Sequence, residues 1–307
     1  MRRQLPSLPM LFVGALLLVL VGAGSALAAQ DTSGPPDSST CAACHEDRVD
    51  AFRANNPHAV LESPKWNKNG VEGGSCTSCH TGAAKHVEEG GGPGNIMAFG
   101  SDVSAADIDK ACLTCHTKTH PRFASSPHAK AGVACTSCHQ IHQSGTTAVD
   151  LLKAGPTTAA DPADKLGPKS AVCANCHGDV FTQFKYNEHH RLREGILECT
   201  SCHNPHEPTT VGRLGGFKDE TCLKCHADKG GPFIYEHGSV RVEGCTACHD
   251  PMGSPNRHLL KFQRVAELCY SCHTTPPSFH SRFTLETQCT ECHSSIHGSN
   301  FSPFFLK

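Results

Sequence analysis

All 20 cysteines of the chain fall into ten copies of one signature, Cys-x-x-Cys-His. The first cysteines are Cys41, Cys76, Cys112, Cys135, Cys173, Cys199, Cys222, Cys245, Cys269 and Cys289. The second are Cys44, Cys79, Cys115, Cys138, Cys176, Cys202, Cys225, Cys248, Cys272 and Cys292. Two thiols three residues apart lie on one side of a helical turn, where they can form thioethers to the two vinyl groups of one haem. The histidine at the next position then falls beneath the iron as its proximal ligand. Those histidines are His45, His80, His116, His139, His177, His203, His226, His249, His273 and His293. A redox dithiol, a zinc ribbon or a secreted disulfide scaffold could also use paired cysteines. None of these needs a histidine after each second cysteine, and all ten pairs have one. The expected cofactors are ten c-type haems.

Twelve histidines lie outside the motifs, and they are not scattered. The chain reads as five tandem modules, each with two motifs and two outer histidines. The outer histidines are His58 and His86 in the first module, His128 and His142 in the second, and His189 or His190 with His206 in the third. The fourth has His237 and His258, and the fifth His280 and His297. These are the candidate distal ligands, ten for ten irons. His120 and one of the His189/His190 pair are spare, and His120 reads as an ordinary solvated or core side chain. His177 to His189 repeats the spacing of His116 to His128, and Phe184 precedes His189 as Phe123 precedes His128. Both measures favour His189, with His190 kept as the alternative.

Ten distal histidines predict ten six-coordinate irons with two imidazoles each. Met97 and Met252 could offer a thioether, but neither stands at a distal position in its module. Histidine–methionine ligation raises the reduction potential relative to two imidazoles, so a low-potential carrier is expected.

What must position these groups is a chain with little conventional core. Only 38% of the residues are apolar and 6% aromatic, and Gly 28 with Pro 20 disfavours long regular elements. Flat macrocycles must replace the missing aliphatic side chains. Phe52, Phe123, Phe181, Phe184, Phe233, Phe262 and Phe279 are the candidates to pad their faces. The expected fold class is a multihaem cytochrome c fold, mostly loops with short α-helices, almost no sheet, and an elongated haem wire. Residues 88–94 (EEGGGPG) and 144–169 read as surface connectors. A phosphate loop at 88–94 would need a strand and a Gly-Lys-Ser/Thr, which are missing. The formal net charge of −2 includes no basic patch, so no nucleic-acid partner is expected.

The chain opens with Arg2 and Arg3, an apolar run, and Ala26-Leu27-Ala28. That order is a secretory signal peptide with a cut after Ala28, the alternative being an uncleaved membrane anchor. The expected division is 1–28 signal peptide, 29–197 an N-terminal half with motifs one to five, and 198–307 a C-terminal half with motifs six to ten. Cys41 is the first cysteine, well past the cut, so no lipid-bearing N-terminal cysteine is expected.

Ten such motifs behind a signal peptide resemble the MtrA/DmsE/PioA family of decahaem cytochromes. Ser-Pro-His128 ahead of CTSCH, and EHHRLREG ahead of Cys199 followed by CHNPH to His206, agree with it. The resemblance covers roughly residues 38–300, and the lack of a long N-terminal extension favours the MtrA and DmsE branches. It implies a periplasmic protein associated with the outer membrane, threaded into a porin-like β-barrel. Electrons would pass between a periplasmic or inner-membrane cytochrome donor and an extracellular cytochrome or reductase. Large barrels have polar lumens that could admit such a rod.

Three other functions compete. A multihaem reductase of the nitrite, hydroxylamine or tetrathionate type needs an iron with an open or displaceable position. All ten motifs end in histidine and no distal candidate is missing, which argues for an electron carrier without a substrate site. A soluble periplasmic shuttle and a subunit of an extracellular filament are the remaining alternatives.

Overall fold

The structure is a computed structural model that describes residues 35–63, 65, 74–143, 152–153, 165–208 and 220–306. The signal-peptide expectation and most of the second connector lie outside the described residues. Pro35–Lys307 forms one compact unit.

Within it the elements are short. The longest described helices are Ser38–Arg53 and Ala105–His116, and the sheet is two strands of two residues, Tyr235–Glu236 and Gly298–Ser299, paired antiparallel. Everything else is turn, loop or a helical turn of a few residues. No helix among the described residues is long and apolar enough to cross a membrane. The fold is thus mostly loop with short helices, as the composition requires.

The motifs explain where the helices stand. Odd-numbered motifs sit in helices that begin two or more residues before the first cysteine: Ser38–Arg53, Ala105–His116, Pro168–Ala174, Glu220–Leu223 and Val265–Tyr270. Capping side chains start two of them, Asp37 accepting from Thr40 N–H and Ser104 from Asp107 N–H. Four of the even-numbered motifs instead open a helical turn at their first cysteine, Cys135–Cys138, Cys199–Cys202, Cys245–Ala247 and Cys289–Glu291.

Buried apolar side chains are few and dispersed. One small cluster joins Ala174, Phe181, Phe184 and Leu192. Of the phenylalanines expected to pad macrocycles, Phe52, Phe123, Phe181 and Phe184 are buried. Phe262 and Phe279 are exposed, Phe279 to 70%, with one face left to solvent while it packs on the His280 ring at 4.2 Å.

Contacts cross the 197/198 boundary between the expected halves. Cys199 N–H donates to Ser170 Oγ at 3.0 Å, and Arg122 pairs with Glu207 at 2.6 Å. Of the two connectors, 88–94 starts on the last residue of helix Ala83–Glu88 and continues as a loop with Gly90, Gly91, Gly92 and Gly94 all at positive φ. In the second, Lys153 N–H donates to the Cys138 carbonyl at 2.8 Å.

Candidate functional site

Each motif turn places its histidine by a single backbone bond. The histidine N–H donates to the carbonyl of the first cysteine four residues back, at 2.8 Å for His80 and 2.9–3.0 Å at His139, His177, His203, His226, His249, His273 and His293. That turn brings the two thiols and the imidazole to one side, the geometry thioether attachment demands.

The cysteines then meet in chain order. Within a module the first cysteines of the two motifs lie side by side: Cys41 with Cys76, Cys112 with Cys135, Cys173 with Cys199, and Cys269 with Cys289. Between modules the second cysteines face one another. Cys79 senses Cys112 and Cys115, Cys138 senses Cys176, Cys202 senses Cys225, and Cys248 senses Cys272. The motifs therefore succeed one another in space much as they do in sequence.

The histidines come together two by two. An iron with an imidazole on each side, at metal–nitrogen bonds of about 2 Å, holds the ring centres about 6 Å apart. Apart from His116 and His120, neighbours on one turn, nine pairs of one motif histidine with one outer histidine have that spacing. Six are near-parallel: His45–His86 at 6.4 Å and 17°, His80–His142 at 5.8 Å and 15°, His139–His206 at 6.1 Å and 20°, His237–His273 at 6.2 Å and 10°, His249–His297 at 6.3 Å and 14°, and His280–His293 at 6.1 Å and 28°. Three are steeply crossed: His58–His116 at 5.9 Å and 70°, His128–His177 at 6.0 Å and 65°, and His190–His226 at 6.2 Å and 67°. The motif histidine His203 and the outer histidines His120, His189 and His258 are left over.

These pairs do not close within the sequence modules. The first outer histidine of one module faces the first motif of the next, and the second motif of a module faces the second outer histidine of the next. Only the two ends, His45–His86 and His280–His293, pair inside a module. Turns that carry outer histidines from adjacent modules are stitched together. Buried Asn56, 4% exposed, donates to the Ile141 and Gln143 carbonyls at 2.6 and 2.7 Å, joining the His58 and His142 turns. His128 Nδ1 donates to the Pro205 carbonyl at 3.3 Å, beside His206. Glu188 and Ser254 exchange backbone bonds, and Glu188 Oε2 accepts from His258 N–H at 3.0 Å, joining the His190 and His258 turns. The small sheet does the same for His237 and His297, through Tyr235↔Ser299 and Glu236↔Gly298. His258 occupies the place in its turn pair that His142, His206 and His297 occupy in theirs.

Backbone carbonyls fix the ring tautomers. Nδ1 donates to Met97 O from His80 (2.7 Å), to Gly92 O from His86 (3.1 Å), to Pro251 O from His190 (2.6 Å), to His258 O from His249 (2.8 Å) and to Phe304 O from His293 (2.6 Å). With Nδ1 protonated, Nε2 keeps its lone pair for a metal. The glycine-rich loop 88–94 thus supplies the acceptor that orients His86. Burial pushes His58, His139, His142, His237 and His297 below the ordinary imidazole range, and takes His206 down to about 4. Neutral imidazole is the form that binds metal. The donor set, its spacing and its protonation fit haem iron.

One sequence preference meets a different geometry. Spacing favours His189 over His190, but His189 has both nitrogens engaged. Its Nδ1 donates to Tyr186 O at 2.6 Å and its Nε2 bonds Glu194 at 3.0 Å. His190 is the ring turned toward His226. A signal the spacing argument passed over is the Asn/Ser-Pro-His phrase at Asn56, Ser126 and Asn204. Asn56 Oδ1 accepts from His58 N–H at 2.9 Å and Asn204 Oδ1 from His206 N–H at 3.1 Å, while Ser126 Oγ accepts from Ala129 N–H at 3.1 Å. A capping oxygen followed by proline starts a turn, and the turn presents the next histidine.

The chain is similar in sequence to known c-type cytochromes. A family described as "Doubled CXXCH motif" matches residues 189–231 and 237–277, and a "Cytochrome c-type protein NrfB-like" family matches 76–159. The "Multiheme cytochrome MtrA" of Shewanella baltica is 31% identical over 294 residues, 89% of this chain and 81% of that protein. The chain belongs to the MtrA family of multihaem cytochromes. The chain is a multihaem c-type cytochrome, a protein of electron transfer. The "Cytochrome c-type protein NrfB" of Escherichia coli is 30% identical over 39% of this chain and 66% of its own length. The "C-type polyheme cytochrome OmcB" of Geobacter sulfurreducens is 26% identical over 52% of this chain and 19% of its own.

Proposed function

We propose that all ten motifs attach haem, and that each iron lies between one motif histidine and one outer histidine, paired as their rings are paired above. His258 serves the His203 iron, and His190 rather than His189 serves the His226 iron. Bound haem supplies reversible one-electron carriage at its iron. The chain's residues do the rest. Thioethers fix each macrocycle in place, Nδ1 acceptors hold the imidazoles at fixed tautomer and angle, and two imidazoles per iron leave no position for a substrate. The protein on this reading is a carrier and not a reductase.

We further infer that the row carries electrons between the periplasm and the cell exterior through an outer-membrane β-barrel, from a periplasmic or inner-membrane cytochrome to an extracellular cytochrome or reductase. The observation that carries this is likeness to MtrA over most of both chains, 89% and 81%. The succession of cysteines supports it, because ten haems following the chain order make a row longer than the hydrocarbon layer, about 30 Å. Interlocked ligand pairs would keep that row from coming apart. A second reading, a soluble periplasmic shuttle, is favoured by the NrfB-like match over 76–159.

The test is reconstitution. The cytochrome is purified from outer membranes in mild detergent, any co-purifying barrel is identified, and the complex is placed in liposomes with reductant inside and oxidant outside. Transfer across the sealed membrane that requires both proteins supports the conduit. Recovery of the cytochrome wholly in the soluble periplasmic fraction, with no barrel attached, leaves the shuttle.

A further inference from the structure

His120 is the one outer histidine that the paired-ligand scheme leaves unused besides His189. It is not an idle surface group. Its ring stacks on His206 at 4.2 Å with an interplanar angle of 30°. His206 in turn faces His139 at 6.1 Å across the fourth haem position.

Two constraints hold the rings together. His120 N–H donates to the His116 carbonyl at 2.9 Å, closing the turn that ends the third-motif helix. Two residues on, Arg122 pairs with Glu207 at 2.6 Å, tying that turn to the one carrying His206. Phe123 packs near His206 from the same segment, at 6.3 Å.

The spacing of His120 from His116, 6.2 Å, matches a ligand pair, but the two are four residues apart on one turn. Rings so placed lie side by side on the same face and cannot stand on opposite sides of an iron. His116 also has His58 opposite it. His120 is therefore aimed at the fourth haem rather than the third.

An imidazole coordinates in its own plane, so a ring stacked face to face on His206 lies beside its coordinating edge. A sideways shift of one stacking distance would bring His120 to where His206 stands. We propose that His120 is a reserve distal ligand for the His139 iron, able to keep that iron six-coordinate when His206 is withdrawn. This rests on the reading that His139 and His206 hold a haem between them. Its effect would be to prevent an open iron in the middle of the row, where small ligands could bind and interrupt transfer.

The experiment compares ferric spin state in the full holoprotein, with haem content per chain confirmed by pyridine haemochrome. The variants are His120→Ala, His206→Ala, His206→Ala with His120→Ala, and His206→Ala with His120→Phe. His237→Ala is the control, because the ring beside it, apart from its partner His273, is Phe305 rather than a second imidazole. The expected result is full low-spin character for both singles at 120 and 206, and one high-spin haem per chain in both doubles and in the control. The phenylalanine double retains a packing ring and removes only the ligand, so a high-spin haem there cannot be blamed on lost stacking. A high-spin haem already present in His206→Ala would overturn the proposal. Doubles that stay fully low-spin, with the control high-spin, would instead overturn the assignment of His206 to the His139 iron.

Discussion

Replacing His190 by alanine should change two spectroscopic populations at once. When two axial imidazole planes are near-parallel, the two iron dπ orbitals are split and the ferric signal is rhombic. When the planes are near-perpendicular, those orbitals approach degeneracy and the signal moves to a single large g value. Three pairs are crossed at 65–70°, and six lie within 10–28°. The ferric protein should thus show about three haems of the large-g class among the nine whose ring angles are fixed here. His190 belongs to a crossed pair at 67°. His190→Ala should remove one of the three large-g haems and add one high-spin haem. His237→Ala, from a pair at 10°, should add a high-spin haem while leaving the large-g class untouched. His189→Ala should change neither population. Its Glu194 partner is 37% exposed, so the lost pair costs at most about 1 kcal/mol. The assay is quantitative low-temperature EPR on fully oxidised protein. A large-g population unaltered in His190→Ala, or a high-spin haem in His189→Ala, would refute the ligand assignment.

Other consequences are measurable. Ser126→Ala removes the buried oxygen that caps the His128 turn; the expected loss is ~1 kcal/mol, read as a melting temperature lower by about 2 °C. Gly253→Ala would drive a Cβ into the Gln183 carbonyl, displacing the turn whose Pro251 carbonyl orients His190. That variant should lose the same large-g signal as His190→Ala, with the imidazole still present. The hydroxyl and N–H groups of Ser39 and Thr40 hold the Asp37 carboxyl down at about 2. Its folded pKa lies below the ordinary value of ~3.9, so its contribution is present above pH ~4 and is lost as the pH falls toward 2. Protection of the amides at the start of helix Ser38–Arg53, taken relative to their intrinsic exchange rate at each pH, should fall over that window and stay level above it, an effect Asp37→Ala should abolish.

The sequence made the chemistry legible and left the connectivity hidden. Ten motifs and five repeats are local features, each contained in a few dozen residues. The same holds for the shortage of apolar side chains, which correctly implied short helices and almost no sheet. Pairing is different, because most outer histidines meet a motif in a neighbouring module. His190 meets His226 because Pro251, 61 positions away, supplies the acceptor that turns its ring. Asn56 reaches carbonyls 85 and 87 residues on to bring the His58 and His142 turns together. No spacing within a module records such approaches. Spacing alone favoured His189, since it measures where along the chain a ring lies and not which way its nitrogens face. The Asn/Ser-Pro-His phrases were readable in principle, as capping turns that present a histidine.

The most direct test of the account is near-infrared magnetic circular dichroism of the oxidised protein, quantified against haem per chain. Its ligand-to-iron charge-transfer band distinguishes two imidazoles from imidazole with thioether, amine or water. The account predicts ten haems per chain, all with two imidazoles and none high-spin. Fewer than ten haems, or one iron in ten with an open or non-imidazole position, would contradict it and restore the case for a reductase.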